Sequence, residues 1–158
     1  MDTQPFNARF VSLMSLDRLY RVCFRDSELY FIRIGGQGGV YETLPHVLGP
    51  LGGFVGGFLR KRAAESEAAI SAEVDESHPV LYMRKHKHNF KLNPASIKAS
   101  SIRPPAAFSL HGAQIGRWKL LLRDGKNMNF QFESVDDMDL ALLSLPAVLG
   151  HLLSIDVE

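Results

Sequence analysis

The stretch IGRWKLLLRDGKNMNFQFES, residues 115–134, decides the fold. Apolar and polar side chains alternate on both sides of Asp124-Gly125, a dipeptide that favours the tight turn of a β-hairpin. Ser134 then suits the N-cap of a helix, and the acidic residues that follow it suit the positive end of the helix dipole. The sequence therefore predicts a hairpin that leads directly into a capped C-terminal helix.

A second hairpin is predicted nearer the start of the chain. Aromatic and β-branched residues are enriched over residues 20–25 and 28–34, and the polar pair Asp26-Ser27 separates the two runs. Residues 9–14, 89–92 and 97–103 are further strand-like runs. Together these runs predict about six or seven short antiparallel strands.

Residues 44–76 lie between the two groups of strands and predict a long helical insertion. Pro50 suits the first turn of a helix, because its missing N–H is not needed there. The Ala- and Glu-rich tail favours helix as far as Asp75, and His78-Pro79 is expected to stop it. Apolar residues at spacings of three and four form a helical stripe: Leu51, Phe54, Val55, Phe58 and Leu59.

Length and composition fit one domain spanning residues 1–158. The hydrophobic content of 46% and the charged content of 22% are ordinary globular values. Eighteen basic and 17 acidic residues give a net charge of +1, so attraction to acidic partners has to come from local clusters. Cys23 is the only cysteine, and its strand-like neighbours predict a buried, inert thiol. The first ten residues lack the apolar segment of a secretory signal, so we expect a cytoplasmic protein.

The order of these elements resembles that of bacterial pleckstrin-homology-like (PH-like) or GRAM-like domains. Residues 19–22, 29–35 and 120–125 carry the resemblance, and the last of these runs leads through a strand into the helix after Ser134. The resemblance implies an α+β fold: a PH-like antiparallel β-barrel or sandwich with a C-terminal helix. The predicted helical insertion would be an addition to it.

The same resemblance implies a scaffold for lipid headgroups, peptides or partner proteins, usually without catalysis. Two features depart from the family. The turn Asp26-Ser27 is short and acidic, whereas phosphoinositide-binding members carry several basic residues in the first hairpin loop. Trp118 lies in a predicted strand, whereas eukaryotic members have a Trp in the terminal helix. No lipid-binding residues are therefore transferred from the family.

The first functional hypothesis is a non-enzymatic binding or assembly module. Gly49, Gly53 and Gly57 recur every four residues, a spacing that lets a helix approach another backbone closely. Glycine inside a helix costs about 1 kcal/mol relative to alanine, so a compensating contact is expected. The partner surface is either the rest of this domain or another protein, a second copy in a homodimer included. The contact candidates are Leu51, Gly53, Phe54, Val55, Gly57, Phe58 and Leu59.

The alternative hypothesis is peripheral attachment to an anionic membrane or lipid. The apolar run over residues 47–59 is shorter than the roughly 20 residues that span a bilayer, but it suits a helix lying in the interface. Basic residues follow it directly, and a second basic cluster occupies residues 84–88. The headgroup candidates are Arg60, Lys61, Arg62, Arg84, Lys85 and Lys87.

No motif indicates an enzyme, a cofactor, a metal or a small-molecule substrate. The glycines of residues 35–39 are not followed by the Lys-Ser or Lys-Thr of a phosphate loop, and they lack the spacing of a Rossmann turn. His86 and His88 would share one face of a strand, but no second pair of ligands accompanies them. Few aromatic residues flank the basic cluster, which argues against a nucleic-acid partner.

Overall fold

The computed structural model describes residues 3–12, 17–36, 60–105 and 115–156 of the chain. Helix α1 is described over residues 60–76, and helix α2 spans Val135–Leu149. The strands in the described ranges are β1 (Phe6–Phe10), β2 (Arg18–Arg25), β3 (Glu28–Gly35), β4 (Phe90–Leu92), β5 (Ile97–Arg103), β6 (Arg117–Leu122), β7 (Asn127–Phe132) and β8 (Leu153–Ile155). Short 3₁₀ turns cover Pro79–Tyr82, Pro94–Ser96 and Gly150–Leu152.

The strands form one open sheet in the order β4-β3-β2-β1-β7-β6-β5-β8. Each pair is antiparallel except β5 and β8, which run parallel. Both predicted hairpins are confirmed, and Asp26 and Ser27 take the positive φ angles, 49° and 61°, of a tight two-residue turn. The turn therefore stores some backbone strain at residues that tolerate it better than branched ones do.

The sheet curls so that its inner face encloses the core. β3 and β6 are four steps apart in the sheet, which in a flat sheet would separate them by about 19 Å. The rings of Phe31 on β3 and Trp118 on β6 nevertheless stack with their centroids 5.9 Å apart. Trp118 is fully buried, and its Nε1 donates a hydrogen bond to Ser100 Oγ at 2.9 Å, so the buried polar atom is satisfied.

Helix α2 is tied to the start of β1 by its own polar side chains. Ser134 caps the helix as predicted: its Oγ accepts from the Asp137 N–H at 3.0 Å. Asp137 in turn accepts the backbone N–H of Asn7 at 2.6 Å, and Ser144 Oγ accepts the N–H of Gln4 at 2.8 Å. These hydrogen bonds fix the helix over the core, into which it places Ala141, Leu145 and Leu149.

Helix α1 covers part of the outer face of the sheet. Its inward positions recur every three or four residues, and Ile70 and Val74 pack over Cys23 and Ile32. Arg21 of β2 also pairs with Asp75 of the helix at 2.6 Å. The described part of the helix therefore packs on its own domain, and it ends at residue 76, close to the predicted end.

One predicted strand boundary is wrong, and one strand was not predicted. The first strand was expected over residues 9–14 but is Phe6–Phe10, because hydrogen bonding to both β2 and β7 selects those residues. Pro146 lies inside α2, where the buried Leu145 and Leu149 hold the last turn on the core. β8 was not predicted, because three residues carry too short a pattern and only pairing with β5 makes them a strand.

The α+β class and a mainly antiparallel sheet are confirmed. The described sheet has eight strands instead of six or seven, and it is mixed because of β8. Neither described helix is long and apolar enough to cross a membrane.

Gly36, directly after β3, lies where the backbone of Asp17 comes so close that a side chain would not fit. Its φ is +148°, and an added Cβ would lie 2.6 Å from the carbonyl oxygen of Asp17. Gly125 also has a positive φ, +88°, but open space around it. We expect Gly36→Ala to lower the free energy of unfolding by about 3 kcal/mol and Gly125→Ala by about 1 kcal/mol, measured by urea denaturation. Equal losses would contradict the close approach at Gly36.

Candidate functional site

An open cavity of about 380 Å³ lies where β1 ends and β2 and β4 begin. Of its lining residues, Tyr20, Leu122 and Met128 are buried, whereas the three lysines at positions 87, 91 and 126 are exposed. We call this cavity the basic mouth. Its apolar lining consists of Phe10, Tyr20, Phe90, Leu92, Leu122 and Met128, and its polar lining of Arg18, Lys87, His88, Asn89, Lys91 and Lys126. No carboxylate stands among these described lining residues.

The cations of the basic mouth differ in their partners. Lys91 Nζ lies 2.8 Å from a carboxylate oxygen of Glu28, and the hydrogen bond from Lys91 lowers the pKa of that carboxyl. The ion pairs between described residues involve none of Arg18, Lys87 and Lys126. Three cations are therefore left at this cavity without a carboxylate partner in the described part of the chain.

Hydrogen bonds hold the segment that carries Lys87 and His88. The Tyr20 hydroxyl donates to the carbonyl oxygen of His88 at 3.1 Å. Asn89 bridges two elements: its Nδ2 donates to the carbonyl oxygen of Tyr82 at 2.7 Å, and its Oδ1 accepts the backbone N–H of Arg33 at 2.8 Å. The loop before β4 is thus fixed against β2 and β3, although it has no regular structure.

His86 and His88 form a pair inside this loop. Their ring centroids are 5.2 Å apart, and the backbone N–H of His88 donates to His86 Nδ1 at 3.1 Å. The other ring nitrogen, His86 Nε2, lies 2.8 Å from Arg33 Nη1. The prediction that the two histidines share a strand face is wrong, because residues 83–88 make turns, yet the rings still meet.

The surroundings of both histidines disfavour their charged forms. Partial burial lowers the pKa of His86, and the nearby charges of Arg33, Lys87 and Arg18 lower it further. Partial burial together with the same cations lowers the pKa of His88. Both rings are therefore more often neutral at neutral pH than exposed histidines are.

A second cavity of about 350 Å³ lies on the other side of the histidine pair, between the end of β3 and α1. Arg33, Glu67, Ile70 and His86 are among its lining residues. Burial raises the pKa of the Glu67 carboxyl. His86 lines this second cavity, whereas His88, whose ring centroid is 5.2 Å from that of His86, lines the basic mouth.

The predicted candidate residues fall into three groups. The contact candidates of residues 51–59 lie outside the described residues, so association through them stays a prediction. Arg60, Lys61 and Arg62 are exposed at the described start of α1. Lys85 is engaged by Glu73 at 3.4 Å and lies 4.1 Å from the centre of the Tyr82 ring. Arg84 is exposed, and Lys87 alone among these candidates lines the basic mouth.

Sequence reasoning missed Arg18, Arg33 and Lys126. Each is a single basic residue in or beside a predicted strand or turn, and they are far apart along the chain. The signal that could have indicated them is the pairing of the predicted hairpins, which places strand ends side by side. Cys23 is buried as predicted, and burial raises its pKa to about 12, so its thiol is unreactive.

Other site chemistry is sparse in the described residues. They contain no group of three or more His, Cys, Asp or Glu side chains that could hold a metal ion. The chemical features that the fold brings together here are the basic mouth and the loop before β4 that carries Lys87 and His88.

The histidine pair predicts a loss of stability in mild acid. Because the folded-state pKa values of His86 and His88 lie below the unfolded value of about 6.5, the unfolded chain binds more protons there. The free energy of unfolding should therefore decrease as the pH falls from about 6.5 to 5. We expect the urea concentration at the unfolding midpoint to change less between pH 7.5 and 5 in the His86→Gln/His88→Gln double variant than in the wild type. His151→Gln, at an exposed position, is the control, and equal acid sensitivity in all three proteins would contradict the prediction.

Comparisons with known proteins give no family for this chain. No protein-family model, no curated protein and no solved structure matches it. The function is therefore inferred from the described residues and their geometry.

Proposed function

We propose that this chain is a non-enzymatic, PH-like module that attaches peripherally to anionic membrane surfaces through its basic mouth. The observation that supports this best is the composition of the cavity lining. Three cations without a carboxylate partner among the described residues, Arg18, Lys87 and Lys126, line the cavity together with six apolar or aromatic side chains. An anionic lipid surface offers the two matching properties, negative headgroups and an apolar layer beneath them.

The cations of the basic mouth can attract the protein to an anionic membrane although its net charge is close to zero. Each Lys or Arg near an anionic leaflet contributes about 1 kcal/mol of attraction. Arg18, Lys87 and Lys126 would thus contribute about 3 kcal/mol, or about a 100-fold change in partitioning. Local clustering supplies this attraction, because the whole chain carries a net charge of only +1.

The exposed cations of α1 lie at the same end of the sheet. Glu67 packs over Gly35 at the end of β3, and Val74 packs farther along the outer face. A helix rises 1.5 Å per residue, so residue 60 lies about 10 Å beyond Glu67, past the end of β3. Gly35 pairs with Leu19 beside Arg18, so Arg60, Lys61 and Arg62 lie beyond the end of the sheet at which β2 begins. They would add to the same membrane-facing surface.

The PH-like part of the proposal is supported by the order of the strands. β1 to β4 and β5 to β7 each form an antiparallel run of sequence neighbours, and α2 follows β7 directly, as in the family that the sequence resembles. The curl of the sheet, which stacks Phe31 on Trp118, gives the enclosed core that a barrel or sandwich requires. α1 and β8 are additions to that plan.

The test is flotation with vesicles of phosphatidylcholine containing rising fractions of phosphatidylglycerol. We expect binding to grow with the anionic fraction and to weaken as salt rises, because salt screens surface charge. The Arg18→Gln/Lys87→Gln/Lys126→Gln variant should bind about 100-fold more weakly at low salt.

A matched control removes the same charge from another face. Lys98, Arg103 and Lys119 are exposed on β5 and β6 and do not line the basic mouth. Their triple Gln variant should retain most of the binding. Equal losses in the two variants would show unspecific attraction, and absence of flotation at every composition would reject the membrane function.

A further inference from the structure

Two N–H donors face the ring of His86, one at each nitrogen, but a neutral imidazole can accept only one hydrogen bond. The backbone N–H of His88 points at Nδ1, and the guanidinium of Arg33 points at Nε2. A neutral imidazole carries a hydrogen on one ring nitrogen and accepts only at the other, and a guanidinium has no acceptor. One of the two contacts therefore always brings two N–H groups together.

Protonation of the ring does not remove this conflict. A charged imidazole donates at both nitrogens, so both contacts would then be repulsive and Arg33 would face a second cation at 2.8 Å. The partner of His86 Nε2 among the described residues is this guanidinium, which cannot accept its proton. Glu67 is the carboxylate among the described lining residues of this cavity, and none of the ion pairs between described residues joins it to Arg33 or His86.

The charged groups around His86 come from each neighbouring element. β2 contributes Arg18, β3 contributes Arg33, and the loop itself contributes Lys87 and His88. α1 contributes Glu67, which lines the same cavity as His86 and Arg33. The net charge of these groups is positive even when both imidazole rings are neutral and Glu67 is ionised.

We propose that Arg33 and His86 form an oxyanion site that takes up a proton on the imidazole when the anion binds. Because Arg33 Nη1 and His86 Nε2 are 2.8 Å apart, one oxygen of an oxyanion beside them can contact both, accepting a hydrogen bond from the guanidinium and another from the protonated Nε2. The ligand class is a tetrahedral oxyanion, borne either by a lipid headgroup or by a small soluble ion. This inference rests on the proposed membrane function, which it deepens by naming a specific anion site beside the basic mouth.

Proton uptake fixes the direction of the pH dependence. In the free protein, burial and the neighbouring cations lower the pKa of His86. A bound anion offsets those cations and raises that pKa, so binding is coupled to protonation. By linkage, the affinity for the anion must then increase as the pH falls.

Sulfate is the probe, because it remains a dianion across the whole pH range used, so any pH dependence comes from the protein. The dissociation constant is measured by NMR titration with sodium sulfate at constant ionic strength, at pH 7.5, 6.5 and 5.5. We expect about tenfold tighter binding by the wild type at pH 5.5 than at pH 7.5. His86→Gln should change less than about twofold, and His151→Gln should behave as the wild type does.

The wild type alone also tests the inference if His86→Gln does not fold. The imidazole resonances of His86 are titrated with and without sulfate, and an upward shift of its pKa on addition of sulfate is expected. No shift, a pH-independent affinity, or a full pH dependence in a folded His86→Gln variant would overturn the inference.

Vesicles containing phosphatidylglycerol, whose charge is also constant over this range, separate the inference from the membrane function. If sulfate binds with the expected pH dependence but vesicles do not float at any pH, the oxyanion site stands and the membrane function is rejected. If vesicles float equally at pH 7.5 and 5.5 and the affinity for sulfate is also independent of pH, the membrane function stands and the proton-linked site is rejected.

Discussion

The packing of Phe31 is the contact on which the rest of the structure depends. Its ring stacks on Phe90 at 4.4 Å, on Phe130 at 5.4 Å and on Trp118 at 5.9 Å between centroids. These partners come from β4, β7 and β6, so a single side chain joins both halves of the sheet. Each such aromatic pair contributes about 0.5–1.5 kcal/mol beyond the area that it buries. Without this closure the sheet would have no enclosed face for α2 to cover.

The curl that Phe31 closes also explains why the basic mouth exists. Phe90 packs against Phe31 and at the same time lines the cavity, so the apolar interior of the mouth is the outer end of the aromatic core. Strand ends and turns surround it, and these are the places where cations reach water. Arg18, Lys87 and Lys126 come from three separate segments, which only the closed sheet brings together.

The sequence predicted what local patterns encode. Both hairpins, the Ser134 cap and the end of α1 follow from alternation, turn residues and helix formers, and the structure confirms each of them. β8 and the exact place of β1 could not be predicted, because partner strands decide them. The basic mouth was missed for a related reason: of the three cations Arg18, Lys87 and Lys126, only Lys87 lies in a visible basic cluster. A cavity assembled from isolated residues leaves no local pattern.

The histidine at position 86 is informative, because a carboxylate at the same position would satisfy the surrounding hydrogen-bond donors better. A carboxylate there would accept from both Arg33 and the His88 backbone and would form a charge-assisted pair with the guanidinium. A histidine leaves the donors in conflict and the loop less stable. What it provides instead is a group that changes charge between pH 5 and 8, held beside a cavity rich in cations. Local instability of this kind persists where the surrounding structure holds the group in place, and Asn89 fixes this loop to β3. The unsatisfied contact at His86 therefore fits a site completed by an anion better than it fits a structural residue.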